Sequence, residues 1–227
     1  EQLPRLAPRF ERQGLELRQD DEGVAHEDVV GVLAPPAAPM DAERIDRYPN
    51  LRVIATPSVG NDHIDVEAAT SKGVRVGNAK GYNTQEVAEY TLAAILTLAK
   101  DLVRTSADTR AHVWEGGRPR PLMFSECTVG LVGFGDIARR VAGMVTVLGM
   151  HVAVWNRSGV GYHPQELTVA GTVEEVARQA DILSLHVPLT PQTHHLVDAS
   201  LLAVMKSGAG IVNTGRGGLI DTAALRA

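Results

Sequence analysis

Two glycines, Gly133 and Gly135, follow an apolar run at residues 129–132 and precede a run typical of a helix at 138–148. Without side chains, they let backbone amides approach a phosphate, and the positive end of the following helix favours that negative charge. Residues 151–155 are predicted to form a second strand, so the turn lies in a βαβ unit. This context favours a dinucleotide-binding turn over an ordinary strand-to-helix turn. The contacts predicted there come from Gly133, Phe134, Gly135, Asp136 and Ile137.

The residues after the second strand bear on which dinucleotide binds. Roughly 20 residues past the glycines, such units usually carry an acidic side chain that binds the ribose hydroxyls. Here the position holds Asn156, followed by Arg157 and Ser158. The missing carboxylate removes repulsion toward a 2′-phosphate, and an arginine offers a charge-assisted partner for it. The segment predicts NADP(H), with NAD(H) as the alternative if these residues form only a polar turn.

Composition excludes several classes of protein. The 227 residues are 44% hydrophobic and 22% charged, as in an ordinary globular chain, and could form one large domain or two modest ones. The net charge of −5 gives no basic excess, so no nucleic-acid partner is expected. No apolar run approaches about 18 residues, so no membrane span is expected. The single cysteine, Cys127, cannot form an internal disulfide, and we predict a cytoplasmic protein without a metal site.

Strand-like and helical runs alternate along the whole chain, which predicts an α/β fold with parallel sheets covered on both faces. Strands are predicted at residues 29–34, 51–56, 74–76, 129–132, 151–155, 181–187 and 210–214. Helices are predicted at residues 3–13, 41–48, 174–179 and 199–205, with Asp65 capping a short helix that ends near Gly73.

A longer helix begins near Asn83, where Glu86 three residues later completes a cap-like pattern. Apolar or small residues then recur at helical spacing: Val87, Thr91, Ala94, Ile95, Leu98 and Leu102. Because this helix is largely apolar, we predict that it lies between two domains, followed by a loop at 116–121. The predicted boundaries are a substrate domain at 1–95, a connecting helix and linker at 96–125, and a nucleotide-binding domain at 126–227.

Ligands of parallel sheets gather beyond the carboxyl ends of the strands. In the second domain those ends are residues 133–136, 156–158, 186–188 and 214–216. The sequence therefore predicts one crevice where four segments converge.

Five blocks of sequence, taken together, resemble the signatures of the D-isomer-specific 2-hydroxyacid dehydrogenases. They are SVGNDHID at 58–65, NTQEVAE at 83–89, the glycine turn, HVPLT at 186–190 and VNTGRGGLID at 212–221. The resemblance implies a flavodoxin-like substrate domain beside a doubly wound Rossmann domain, usually in a homodimer. It also implies hydride exchange between a nicotinamide and the α-carbon of a small 2-oxo or 2-hydroxy acid.

Reduction of a 2-oxo acid needs a fixed cation for the carboxylate and the reacting oxygen. Arg216, at a predicted strand end, is our candidate catalytic residue because its guanidinium can bind both groups. The resemblance implies that amides around Val59 and Gly60 hold the carboxylate and that Val87 packs against the nicotinamide. Further cofactor contacts are expected from His186, Val187, Pro188, Thr193, Thr214 and Gly215.

The sequence departs from the family pattern in one respect. The family uses a histidine oriented by a glutamate as proton donor, both downstream of the arginine block, and neither is among these residues. The substrate domain would also open with a strand ahead of the first helix. A naturally shortened, inactive protein would expose an apolar sheet edge, so we expect a fragment of a longer chain instead.

Val59, Gly60 and the NADP-type segment resemble glyoxylate and hydroxypyruvate reductases, while other 2-hydroxy acids remain open as substrates. Ser58 stands where phosphite dehydrogenases carry a lysine, which disfavours that reaction. A different class is a non-catalytic nucleotide sensor of the corepressor type with the same fold. Adenosylhomocysteinase shares the glycine turn but is disfavoured by the arginine block.

Overall fold

A computed structural model of the chain describes residues 3–18, 25–114, 121–161 and 166–227. It contains two compact units, Glu1–Lys80 and Gly81–Ala227. Residues 116–120 of the predicted linker loop lie outside the described residues. The parallel sheets and alternating helices confirm the predicted α/β class.

The first unit is built on a three-stranded parallel sheet in the order β1-β2-β3. Its described elements are α1 (Leu3–Glu11), β1 (Gly31–Leu33), α2 (Ala42–Asp46), β2 (Val53–Thr56), α3 (Val66–Ser71) and β3 (Arg75–Asn78). The Asp65 carboxylate accepts a hydrogen bond from the Ala68 amide at 2.8 Å, which confirms the predicted cap of α3. Ile45, Ile54 and Ala69 form the centre of the core of this unit.

The second unit is built on a five-stranded parallel sheet in the order β6-β5-β4-β7-β8. Its described elements are α4 (Thr84–Ala99), α5 (Leu102–Arg110), β4 (Thr128–Val132), α6 (Asp136–Val147), β5 (His151–Trp155), β6 (Leu167–Val169), α7 (Val173–Gln179), β7 (Ile182–Leu185), α8 (Ala199–Val204), β8 (Gly210–Asn213) and α9 (Thr222–Arg226). The chain adds strands to one side of β4 and then to the other, which creates a topological switch point beside that strand.

Successive residues of the central strands enter different cores on the two faces of this sheet. Leu131 of β4 lies in one apolar cluster and the next residue, Val132, lies in another; Ile182 and Leu183 of β7 divide between the same two clusters. Burial on both faces explains why these strands are nearly continuous apolar runs. Among the described residues, no helix combines the length and the apolar character needed to cross a bilayer.

The long helix α4 packs into the core of the second unit. Ala88, Ile95 and Ala99 are fully buried in the same cluster as Val129. The division between the compact units therefore falls before α4, at Lys80, and not near residue 95 as the sequence pattern indicated.

Both ends of α4 differ from the sequence expectation. Asn83 precedes the first helical residue but makes no capping bond with its side chain, so the cap-like pattern is not realised. The helix ends at Ala99, and Asp101 has a left-handed backbone with φ of 50°. Leu102, predicted to continue the apolar series, starts α5 and is 50% exposed.

Asp181, Thr128 and Lys206 form a hydrogen-bonded cluster, here called the polar clasp, at the amino ends of the strands of the large sheet. The carboxylate of Asp181, just before β7, accepts the Thr128 amide of β4 at 2.8 Å and the Lys206 ammonium at 2.9 Å. This clasp lies at the opposite edge from the strand ends at which the site is predicted.

Candidate nucleotide-binding site

Gly133 begins the turn between β4 and α6. Its φ of +96° lies in the left-handed region, which glycine adopts without strain. A Cβ at this position would lie 2.6 Å from the His186 carbonyl oxygen and 3.0 Å from Val187 Cγ1. The missing side chain therefore lets the turn approach the loop after β7.

Gly135 is the N-cap residue of α6, and its surroundings are different. A Cβ here would meet no described atom within 4 Å, so the position opens onto free space at the positive end of a 12-residue helix. Asp136, the first residue of α6, is exposed, and Ile137 is partly buried. A phosphate could approach the backbone at Gly135, which is the geometry that a dinucleotide-binding turn requires.

Asn156 follows β5 and connects two turns. Its Oδ1 accepts the Phe134 amide at 3.4 Å, and its Nδ2 donates to the Gly159 carbonyl at 2.8 Å. The Gly159 amide donates back to the Asn156 carbonyl at 2.9 Å, which closes a turn with Arg157 and Ser158 exposed at its tip. The Asn156 side chain therefore shapes this loop, a role that the sequence pattern did not reveal.

The loop after β7 is held by its own hydroxyl groups. Thr193 Oγ1 accepts the Thr190 amide at 2.8 Å and donates to the Pro188 carbonyl at 2.6 Å. Thr193 thus stabilises the loop that contains Val187 and Pro188.

His186 stands at the start of this loop as a neutral ring. Its Nε2 lies 3.0 Å from Ser184 Oγ, and its amide donates to the Val132 carbonyl at 2.8 Å. Burial lowers the pKa of His186 to about 4, because desolvation disfavours the imidazolium. At neutral pH His186 can therefore act as a hydrogen-bonding group but supplies no positive charge.

The arginine block follows β8. The Gly215 amide donates to Asn213 Oδ1 at 3.0 Å, and Asn213 Nδ2 donates to the Arg216 carbonyl at 2.9 Å. A Cβ on Gly215 would lie 3.8 Å from the Val187 carbonyl oxygen, so the ends of β7 and β8 lie close together. The partly buried Arg216 is thereby fixed at the carboxyl edge of the sheet.

A hydroxyl on α4 joins that helix to the end of β8. Thr91 Oγ1 donates to the Val87 carbonyl at 2.7 Å and lies 3.1 Å from Thr214 Oγ1. Thr91 is fully buried. The predicted cofactor residues Val87 and Thr214 thus share one partner, although the sequence singled out Thr91 only as a helix-face residue.

The first unit contains the two predicted carboxylate-binding residues. The Ser58 carbonyl accepts the Ala79 amide at 3.0 Å, and the Val59 carbonyl accepts Asn78 Nδ2 at 2.6 Å. In a trans peptide the next N–H points opposite to the carbonyl, and no cis bond occurs in the described chain. The amides of Val59 and Gly60 therefore point away from Ala79 and Asn78.

Within the second unit, the predicted residues form a connected set. Gly133 adjoins His186 and Val187, Phe134 contacts Asn156, and Gly215 adjoins Val187. The four predicted segments therefore lie side by side at the carboxyl edge of the sheet.

Comparison with known proteins identifies the family. Residues 92–227 match the family described as "D-isomer specific 2-hydroxyacid dehydrogenase, NAD binding domain". The chain belongs to this family.

The relatives with known names have different activities within the D-isomer-specific 2-hydroxyacid dehydrogenases. A glyoxylate reductase of Aeropyrum pernix is 38% identical over 194 residues, which are 82% of this chain and 58% of the relative. A D-3-phosphoglycerate dehydrogenase of Mycobacterium leprae is 35% identical over 195 residues, which are 86% of this chain and 37% of the relative. The chain thus spans about a third to three fifths of the length of these relatives.

A solved structure supports the two-domain fold of this dehydrogenase family. The D-lactate dehydrogenase of Aquifex aeolicus, complexed with NAD and lactic acid, superposes with a TM-score of 0.85 at 29% identity. The match covers 97% of this chain and 69% of that one. Together with the open backbone at Gly135 and the close approach at Gly133, this likeness identifies the second unit as a nicotinamide-dinucleotide-binding domain.

Proposed function

We propose that this chain forms part of an NADP(H)-dependent reductase that converts a small 2-oxo acid, of the glyoxylate or hydroxypyruvate type, to a D-2-hydroxy acid. The observation that carries the proposal is the place of Arg216. It follows Thr214 and Gly215 at the end of β8, beside the loop after β7 that the glycine turn approaches. A guanidinium at that edge matches the needs of a substrate with a carboxylate and a neighbouring carbonyl.

The bound dinucleotide would supply the hydride for the substrate α-carbon. Arg216 holds the carboxylate and the carbonyl oxygen through parallel N–H donors. As negative charge grows on that oxygen, the fixed guanidinium stabilises it more strongly than it stabilises the ground state. The proton that the oxygen finally takes up is not assigned to a residue of this chain.

In the first unit, the amides of Val59 and Gly60 would bind the substrate carboxylate as neutral donors. Both amides point away from Asn78 and Ala79, so these two residues do not occupy them. Val87 would pack against the nicotinamide ring. These three contacts orient the substrate and the ring and require no charge.

The preference for NADP(H) is proposed from the turn after β5. Arg157 and Ser158 are exposed at its tip, and both polar atoms of the Asn156 amide bind within the protein. The cofactor phosphate at the 2′ position would thus meet an arginine and a hydroxyl and no carboxylate. The glycine turn would hold the pyrophosphate, with His186, Val187, Pro188, Thr193, Thr214 and Gly215 beside the rest of the cofactor.

The assay is oxidation of NADPH and of NADH by the full-length protein with a panel of 2-oxo acids. We expect turnover with glyoxylate or hydroxypyruvate and a lower Michaelis constant for NADPH. Clear preference for NADH would refute the NADP assignment alone. Tight dinucleotide binding without turnover on any 2-oxo acid would refute the reductase and support the sensor class. We also propose a homodimer in the cytoplasm, which size-exclusion light scattering and cell fractionation would test.

Arg216→Lys tests the proposed catalytic residue. Because a single ammonium cannot reproduce two parallel donors, kcat/KM should fall by at least about 100-fold while dinucleotide affinity stays unchanged. Arg226→Lys, at an exposed arginine in α9, is the matched control and should keep wild-type kinetics. Near-normal turnover of Arg216→Lys would remove Arg216 from the mechanism.

A further inference from the structure

A chain of side-chain hydroxyl groups lies in the loop after β2. Thr56, the last residue of β2, is buried, and its Oγ1 lies 2.9 Å from Ser58 Oγ. The Ser58 amide also donates to Thr56 Oγ1 at 3.4 Å, and Ser58 Oγ donates to the Gly60 carbonyl at 2.6 Å. A buried hydroxyl is costly unless it is hydrogen-bonded, and Ser58 supplies the partners that offset this cost at Thr56.

The direction of these bonds follows from the number of protons. A serine or threonine hydroxyl has one proton, and a carbonyl oxygen can only accept. Ser58 therefore gives its proton to the Gly60 carbonyl. The bond at 2.9 Å must then take its proton from Thr56, so the chain runs from Thr56 through Ser58 to Gly60. Thr56 thus fixes the Ser58 hydroxyl in the orientation that reaches Gly60.

Three consecutive carbonyl groups of this loop have donors of two kinds. Those of Ser58 and Val59 accept from Ala79 and Asn78, at the end of the neighbouring strand β3. That of Gly60 accepts from within the loop, from Ser58. Because glycine has the widest backbone freedom of any residue, a bond to its carbonyl restricts the loop at the point where the chain itself restricts it least. A trans peptide is planar, so the same bond sets the plane of the peptide that follows Gly60.

We infer that Ser58 is a positioning residue for the substrate carboxylate: its hydroxyl, oriented by Thr56, holds the backbone at Gly60 in the conformation that presents the amides of Val59 and Gly60. This inference rests on the proposed function, because it assumes that the carboxylate binds those amides. It gives two side chains of the first unit an effect on substrate binding that acts through the backbone and leaves dinucleotide binding unchanged.

The experiment measures steady-state kinetics of the full-length protein, with oxamate as a second probe. Oxamate has a carboxylate and a neighbouring carbonyl but is not reduced, so its inhibition constant reports binding alone. Ser58→Ala should raise the KM for glyoxylate or hydroxypyruvate and the inhibition constant of oxamate by about fivefold each, the equivalent of one neutral hydrogen bond. The kcat and the KM for the dinucleotide should stay within about twofold, because the lost contact serves the ground state and the transition state alike.

Further variants separate the hydroxyl from the rest of the side chain. Ser58→Thr keeps a hydroxyl and should retain the wild-type KM. Thr56→Val removes the group that orients Ser58, so it should raise the same two constants, but by less than Ser58→Ala does. Ser71→Ala is the matched control, because Ser71 Oγ also donates to a nearby carbonyl, that of Ala68 at 2.8 Å, and it should leave every constant unchanged.

A loss of stability alone would lower the amount of active enzyme and leave the KM of the folded fraction unchanged. If Ser58→Ala fails to fold, Ser58→Cys carries the test, since a thiol is only a weak donor, and it should show the same rise in KM. Equal substrate KM and oxamate constants in the wild type and in these variants would overturn the inference while leaving the proposed function intact. Absence of turnover by the wild type with every 2-oxo acid would overturn the proposed function and the inference with it.

Discussion

The two sheets of this protein are covered to different extents. In the five-stranded sheet, every residue of β7 is buried, and so are all residues of β4 except the first. In the three-stranded sheet, β1 has no buried residue, and Leu33 and Val53 are 45% and 40% exposed. Parallel sheets are normally covered on both faces, so the described residues of the first unit leave apolar strand surface in water. The unit whose core is more complete is the one that matches the NAD-binding domain of the family.

The largest expected effect contrasts two glycines of the same turn. Gly133→Ala places a methyl group 2.6 Å from a backbone carbonyl at a positive φ, so the free energy of unfolding should fall by about 3 kcal/mol. Gly135→Ala enters open space and should keep the stability but weaken dinucleotide binding at least tenfold, roughly the loss of one charge-assisted bond. Urea denaturation and calorimetric titration measure the two effects. Equal stability of the two variants would contradict the assigned roles.

The contrast between the sheets is tested by truncating one leucine in each. Leu131→Ala removes a fully buried side chain from β4 and should cost about 3 kcal/mol of unfolding free energy. Leu33→Ala in β1 removes a half-exposed side chain and should cost less than about 1 kcal/mol. Thermal and urea unfolding report both values. Similar costs would show that the first sheet is covered in solution.

The pH dependence of stability in the second unit gives a smaller expected effect. The pKa of His186 falls from 6.5 in the unfolded chain to about 4 in the fold, so the unfolded chain binds more protons between these values. The stability of the second unit should therefore fall as pH drops from about 6.5 toward 4, by about 2 kcal/mol, and stay flat in this respect above 6.5. His186→Asn should remove this slope in urea denaturation. His112→Asn, at an exposed left-handed residue, is the control, and an unchanged slope in His186→Asn would refute the assignment.

Strands with two buried faces were predictable from the sequence, because short apolar runs bounded by turn residues are typical of buried parallel strands. The pattern at residues 129–132 and 151–155 predicted β4 and β5 to within one residue. The strand β6, Leu167–Val169, was missed because it is a three-residue edge strand with one buried side chain. Its structure depends on pairing with Val152 and its neighbours, which no local pattern encodes.

Spacing predicted which segments lie at the candidate site, but it did not predict the hydrogen bonds that connect them. Spacing located the glycine turn, and the structure shows how Gly133 approaches His186. The contact of Asn156 with a cofactor stays a prediction, and the sequence did not indicate the bonds of its amide to Phe134 and Gly159. The role of Thr91 depends on a partner 123 residues away, a separation that helical periodicity cannot detect.

The clasp formed by Asp181, Thr128 and Lys206 has a consequence for how this scaffold tolerates change. It secures β4, β7 and the approach to β8 at the edge remote from the ligand-binding loops. Loops at the carboxyl edge can therefore vary in length and chemistry while strand alignment is maintained from the far side. Protein engineers who wish to graft a new specificity onto this unit should exchange residues 156–159 or 187–193 and leave Asp181 untouched.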